Sequence, residues 1–247
     1  MANDDNDALE RERDLLILEH EVHPRVQEAQ QTLQLEFPTK ELYQQGGQYT
    51  AERHRFHRAI MKGISNPRSR PSGEEQPIFR LVVGHPGAGK STLIRQMPDA
   101  QHFTIVTLER IMSFFPEYTR ETALTLYMEA QDLLRAIVLD LVQRQENFML
   151  ESLGYDAESP ERICEELKAR GYRIELNFVD VAFLEAAKRV HASFLRGNGP
   201  YIPTRLILYG TLDEHLGELA EELSQLNAYA LNPRRLRSSW PYLREDH

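Results

Sequence analysis

The sequence predicts an α/β fold, a parallel sheet flanked by helices and preceded by a helical N-terminal extension. Three observations predict it. Beyond Pro77, short apolar runs alternate with amphipathic stretches of helical spacing, the pattern of strands joined by helical crossovers. The first of those runs, Ile78–Val83, is almost continuously apolar, as a strand buried on both faces must be, and leads straight into a glycine-rich loop. Upstream the spacing is mainly helical, and Ser65–Pro77 gathers Pro67, Pro71 and Pro77 with Ser, Arg and Gly, the composition of a boundary loop. The expected organisation is therefore an extension over residues 1–74 and a main domain over residues 75–247.

The elements follow in order. Met1–Asp7 is polar and expected to fray; Leu9, Leu15, Leu16, Leu18, Val22, Val26, Ala29, Leu33 and Leu35 carry a helical pattern over Ala8–Phe37, bent or broken at Pro24. A second helix is expected over Ala51–Lys62, ending near Gly63. After the strand Ile78–Val83, a helix starts at Ser91 and a strand covers Phe103–Thr107. A long helix spans Glu121–Gln145, and a short strand, Phe148–Leu150, runs into Glu151. A helix over Pro160–Arg170 is closed by Gly171, with a strand at Arg173–Val181 and a helix at Phe183–Leu195 behind it. Arg205–Tyr209 reads as strand or as the start of a helix; a helix over Asp213–Gln225 and a last strand at Leu226–Leu231 complete the pattern.

Composition limits the function classes. The formal net charge of −9 argues against a protein that coats nucleic acid, whose phosphates demand a basic face. Arg234, Arg235 and Arg237 near Trp240 and Tyr242 are accordingly read as a solvated tail rather than an RNA-binding patch. The single cysteine, Cys164, excludes an intrachain disulfide and fits a reducing compartment. The acidic start lacks a secretory pattern and no apolar run approaches the ~20 residues of a membrane span, so the expectation is a cytoplasmic protein.

Gly84-His85-Pro86-Gly87-Ala88-Gly89-Lys90-Ser91 matches G-x-x-x-x-G-K-S, in the strand–loop–helix context that a phosphate cradle needs. Glycines let the backbone wrap closely around phosphate oxygens, and the following helix offers its positive end to the anion. Lys90 is expected to reach the β- and γ-phosphates and Ser91 to hold Mg2+, with Thr92 contributing a hydroxyl or amide; the donor is ATP. There is no N-K-x-D run of a guanine-nucleotide switch and no apolar strand ending Asp-Glu of a motor-type ATPase. In an open α/β sheet the ligand sits beyond the carboxyl ends of the strands, where Glu109 and Glu151 project.

The run His85–Leu93 resembles the G-x-P-G-[AS]-G-K-[ST] loop of the zeta-toxin kinases, and Asn147–Ser152 is similar to their strand running into E-[GS]-T. Tyr49, Thr50, Arg53 and His57 resemble the helix before the sheet in many members; Ile111–Tyr118, ending Phe115-Pro116-Glu117-Tyr118, resembles an acid-containing segment ending P-x-[YF]. Lys188–Val190 and Gly197–Pro203 resemble the lid, and Tyr229–Asn232 the last strand. The resemblance implies a P-loop kinase-type sheet, phosphate transfer from ATP to a sugar hydroxyl of a UDP-linked amino sugar such as UDP-N-acetylglucosamine, and restraint by a helical antitoxin. It makes Glu109 the base, where the family has Asp, and Glu151 an acceptor- or lid-holding residue; two of the family's lid arginines fall at Ser193 and Pro200 here, which leaves Arg189, Arg196 and Arg205 as local substitutes. The sequence departs from the family at Leu153, Tyr155, Ser193 and Pro200. These departures keep two alternatives open, a kinase of another acceptor (a dinucleotide or a nucleic-acid end) and an ATP-binding protein without turnover. The long N-terminal helix is expected beside the nucleotide site, as a restraint or a docking surface.

Overall fold

The structure, a computed structural model, describes residues 2–73, 75–152 and 160–209. The expected elements at Asp213–Gln225 and Leu226–Leu231, the tail cluster around Arg234 and the departures Leu153 and Tyr155 lie outside them. Two helices open the chain, α1 (Ala2–Glu21) and α2 (Pro24–Leu35). Pro24 takes the first position of α2, where its missing N–H costs no helical bond, and His23 caps that helix by accepting from the amide of Arg25. The short α3 (Thr39–Tyr43) and a two-residue hairpin, β1 (Gln44–Gln45) with β2 (Gln48–Tyr49), lead into α4 (Ala51–Ile64). Helix α4 continues past Gly63, and the glycine lets Phe114 approach so closely that a Cβ there would stand 3.0 Å from its ring.

The main sheet consists of β3 (Ile78–Val83), β4 (Thr104–Val106), β5 (Phe148–Ser152) and β6 (Arg173–Phe178), all parallel, in the order β4-β5-β3-β6. Helices α5 (Lys90–Gln96), α6 (Leu108–Met112), α7 (Tyr127–Gln143), α8 (Pro160–Ala169), α9 (Phe183–Leu195) and α10 (Thr204–Tyr209) connect or follow the strands. Alternate residues of β3 face opposite layers. Phe79, Leu81 and Val83 meet Leu133, Ile137 and Leu141 of α7 and Ile60 and Ile64 of α4; Val82 meets Ile94 and Phe103 on the other side. Each such apolar side chain, withdrawn from water, stabilises the fold by about 1.5–3 kcal/mol.

Helix α1 takes in Ala2–Asp7, where fraying is the expectation, and three further boundaries differ for local reasons. Helix α7 begins at Tyr127 because Thr119 and Thr122 exchange side-chain to backbone hydrogen bonds (3.0 and 3.1 Å) that hold a turn, followed by a 3-10 segment at Ala123–Leu126. Strand β6 stops at Phe178 because its neighbour β3 turns away at Gly84; the last contact between them is the Val179 amide donating to the Val83 carbonyl at 2.9 Å. Strand β5 extends to Ser152, so Glu151 is part of the sheet itself, in register with Val82.

The N-terminal pair forms an outer layer against the last helices. Leu16 and Ile17 of α1 pack with Ala187, Val190, Ile207 and Leu208, while Val26 and Ala29 of α2 pack with Phe194 and Tyr201. His20 stacks on His191 with ring centroids 3.6 Å apart and hydrogen-bonds the Thr204 hydroxyl at 2.8 Å. Burial, with His191 beside it, lowers His20 to about 4, so it is neutral at neutral pH. The stretch Arg205–Tyr209 proves helical, as α10, and its apolar face closes this layer.

Candidate active site

The sheet order gathers the carboxyl ends of β3, β5 and β4 side by side, and the chain reverses its direction of sheet growth at β3. A crevice for an anionic ligand forms at such a point. There the loop of residues 84–89 joins β3 to α5. Gly87 (φ +82) presses its backbone on α9, and a Cβ would lie 2.3 Å from the Ala186 carbonyl oxygen. Gly89 (φ +105) caps α5 in the left-handed region that side-chain-bearing residues avoid. The Ala88 amide closes a turn on the His85 carbonyl, and the first helical bonds of α5 are donated by Thr92 and Leu93 to Gly89. The amides of Gly89, Lys90 and Ser91 therefore stand outside the ladder of the helix, at its N-terminal end. The buried His85 ring anchors the loop from behind against Phe183 of α9, centroid to centroid 4.0 Å.

Lys90 is buried inside the loop, its ammonium donating to the carbonyls of Gly84 (2.6 Å) and His85 (2.9 Å). Glu151, from the tip of β5, stands 3.6 Å from that ammonium and accepts from the Ser91 hydroxyl at 3.1 Å. Glu109, in the first turn of α6, completes the group. Thr107 caps that helix by accepting from the Arg110 amide, which fixes where Glu109 leaves the backbone. Glu109 is solvent-accessible yet has protein on most sides; this burial first, and then the Glu151 carboxylate, raise it above the usual carboxylate range against the pull of Arg95. Tyr118 lies within the field of both Glu109 and Arg120, and burial raises its phenol as well.

The family model that matches this chain is that of the zeta toxin, over residues 65–236, more than two thirds of its length. The chain belongs to the zeta toxin family. Two solved structures resemble this zeta toxin family member in fold. A chain from the characterisation of the PezAT chromosomal toxin–antitoxin system of Streptococcus pneumoniae superimposes with a TM-score of 0.56 at 21% identity, covering 73% of this chain and 76% of that one. A chain of the crystal structure of AvrRxo1-ORF1:-ORF2 with ATP gives a TM-score of 0.58 at 14% identity, covering 78% and 69%. No curated protein matches the sequence. The fold is thus the expected parallel sheet of P-loop kinase type, flanked by helices.

Among the residues singled out from the sequence, Gly84–Thr92, Glu109 and Glu151 come together at one edge of the zeta toxin fold. Glu151 stands at the serine and lysine of the loop, whereas the resemblance suggested the acceptor or the lid. The three lid candidates do not join them. Arg189 is engaged by Glu185 (2.8 Å) along the exposed face of α9, and Arg196 and Arg205 are exposed at the end of α9 and on α10. Among the described residues none of the three hydrogen-bonds the loop, Glu109 or Glu151. Besides Lys90 at Glu151, the arginine whose charge acts on Glu109 is Arg95, one turn beyond the loop on α5; Arg120, whose charge acts on Tyr118, has its guanidinium 3.9 Å from where a Cβ on Gly197 would lie. Arg120 carries no motif signal; its place follows from its carbonyl accepting from the Tyr201 amide at 2.8 Å, which ties the turn after Tyr118 to the stretch following α9.

The arrangement suits a triphosphate with a hard divalent cation. Serine and carboxylate oxygens 3.1 Å apart are the donor chemistry magnesium accepts, with phosphate oxygens and water filling its remaining positions. Among the described residues no group of three or more His, Cys, Asp or Glu side chains is arranged to hold a metal by itself, so such a cation would depend on the phosphates. None of the described helices is long and apolar enough to cross a membrane.

Proposed function

We propose that the protein is an ATP-dependent phosphotransferase that moves the γ-phosphoryl group of ATP to a sugar hydroxyl of a UDP-linked amino sugar such as UDP-N-acetylglucosamine. It acts in the cytoplasm as the toxin of a toxin–antitoxin pair. Residues 75–247 form the kinase unit, and residues 1–74 a helical extension packed on it. Family membership supports this reading, as do a similar fold in a toxin–antitoxin system and another solved with ATP. The observation that carries it is the position of Glu109, a carboxylate with a raised pKa at the mouth of a phosphate loop whose lysine and serine are already oriented by Glu151.

The chemistry follows from the residues. The loop amides and Lys90 bind the phosphate tail and stabilise charge on the transferred group. Ser91 and Glu151 would hold Mg2+, which when bound would neutralise charge on the phosphates. Glu109 accepts the proton of the acceptor hydroxyl as that oxygen bonds to the γ-phosphorus and the bond to the ADP oxygen breaks. A carboxylate held above the usual range is better matched to that proton than an ordinary one. Arg95 and Arg120, with Arg189, Arg196 and Arg205 on movement of the last helices, are the cations available to the acceptor and the spreading charge.

The test is incubation with labelled ATP and Mg2+ against a panel of UDP-sugars, nucleosides and dinucleotides. Label is expected on UDP-N-acetylglucosamine. Normal ATP binding with no labelled acceptor would overturn the kinase reading; label on a dinucleotide alone would keep the kinase and reassign its substrate.

A further inference from the structure

Helix α1 carries apolar residues on two opposite faces, and the core uses only one. Leu16, Ile17 and His20 face inward onto α9 and α10. On the solvent side, Leu15, Leu18 and Val22 are 66%, 60% and 66% exposed, spaced so that they line one stripe that continues through Arg11 to Ala8. These positions, 8, 11, 15, 18 and 22, are the a and d places of a heptad, the seam by which one helix takes another. The flanking e and g places are Asp7, Glu12, Asp14, Glu19 and Glu21, every one acidic.

We propose that this face of α1 is a docking surface for a basic amphipathic helix of a partner protein. Three exposed aliphatic side chains in one stripe are poorly placed in water and gain by burial. The acidic borders decide what covers them. A second copy of α1, parallel or antiparallel, would set carboxylates against carboxylates along both borders. An anionic membrane surface meets the same repulsion. A helix with lysine or arginine beside its apolar seam pairs with both borders and is steered toward them by charge. Arg11 occupies one exposed place of the seam, and an arginine stem can cover apolar surface while its charge stays in water. The surface backs directly onto the layer that braces the phosphate loop, since Val190 touches both the α1 cluster and the approach to Gly87.

The probes are two synthetic helices of about three heptads with leucine at a and d, one with lysine and the other with glutamate at e and g. Binding to the full chain is read by fluorescence anisotropy at low and high salt. The lysine-flanked helix should bind at least about tenfold more tightly than the other, and the preference should shrink with salt. Leu15→Ser with Leu18→Ser should weaken that binding about tenfold or more at unchanged net charge, with the circular dichroism spectrum retained. Glu12→Lys with Glu19→Lys should shift the preference toward the glutamate-flanked helix. Equal binding of both probes overturns the proposal. So does binding indifferent to the double serine variant, which would be bulk charge only, or a self-association that the serine variant dissolves, which would make the occupant a second copy. None of these readouts depends on phosphate transfer.

Discussion

The protein contains two clusters in which glutamate meets cation, and they end in opposite electrostatic states. Beneath α4 and α7, Glu129 is fully buried and accepts from Arg53 at 2.6 and 3.1 Å, with His57 Nε2 at 2.7 Å. Arg53 also donates to Glu117 (2.8 Å) and lies over the Tyr43 ring at 3.9 Å. Burial pushes Glu129 up, but the hydrogen bonds from His57 and Arg53 outweigh it and hold it down to about 2. At the phosphate loop, Glu109 faces another carboxylate instead, and burial raises it. Satisfied charge of the first kind fixes a fold; charge left short of partners, at the end of a sheet, is available to a reactant.

Breaking the first cluster has the largest expected effect. Arg53→Met leaves Glu129 buried without its fork of donors and should cost about 3–5 kcal/mol of stability, read by denaturant unfolding. Lys90→Ala should leave the unfolding midpoint nearly unchanged but weaken ATP binding and reduce transfer about 10³-fold. Glu109→Gln should reduce transfer by about 10²-fold with ATP affinity retained, the lower end for a general base because a loose phosphoryl transfer loses the acceptor proton late.

The pH dependences sharpen the contrast. Because the folded pKa of Glu129 is depressed, its contribution to stability is complete above its ordinary 4.5 and is lost as pH falls toward about 2; Glu129→Gln should remove that part of the acid limb of a thermal-melt series. For Glu109 the sign is reversed: its protonated form is favoured, so transfer rises as pH rises through a limb above the usual carboxylate range. Glu151→Gln should move that limb toward lower pH by removing the neighbouring charge, whatever it does to the absolute rate.

The sequence made one of these clusters legible and half hid the other. Ile78–Val83, the glycine loop and α9 could be read directly, because an uninterrupted apolar run, an uninterrupted G-x-x-x-x-G-K-S and a clean helical stripe each report a local cause. Glu109 and Glu151 could be named because one follows a strand and the other stands near the end of one, and the carboxyl ends of those strands share one edge. Glu129 looked like any polar position of an amphipathic helix; its partner Arg53 lies 76 residues earlier, and only the packing of α4 on α7 joins them. The turn before α7 was missed because Thr119 and Thr122 act on each other's amides, which helical periodicity does not register. That Arg95 acts on Glu109 and Arg120 on Tyr118 depends on how α5 and the turn after Tyr118 are oriented, which no motif in the sequence reports.

The measurement that bears most directly on the central claim is single-turnover phosphate transfer to UDP-N-acetylglucosamine across pH, by the natural chain and Glu109→Gln, with ATP affinity determined on the same samples. The account predicts an acid limb in the natural chain that vanishes in Glu109→Gln while ATP affinity holds. A variant that transfers phosphate at full rate with the same pH profile would contradict it.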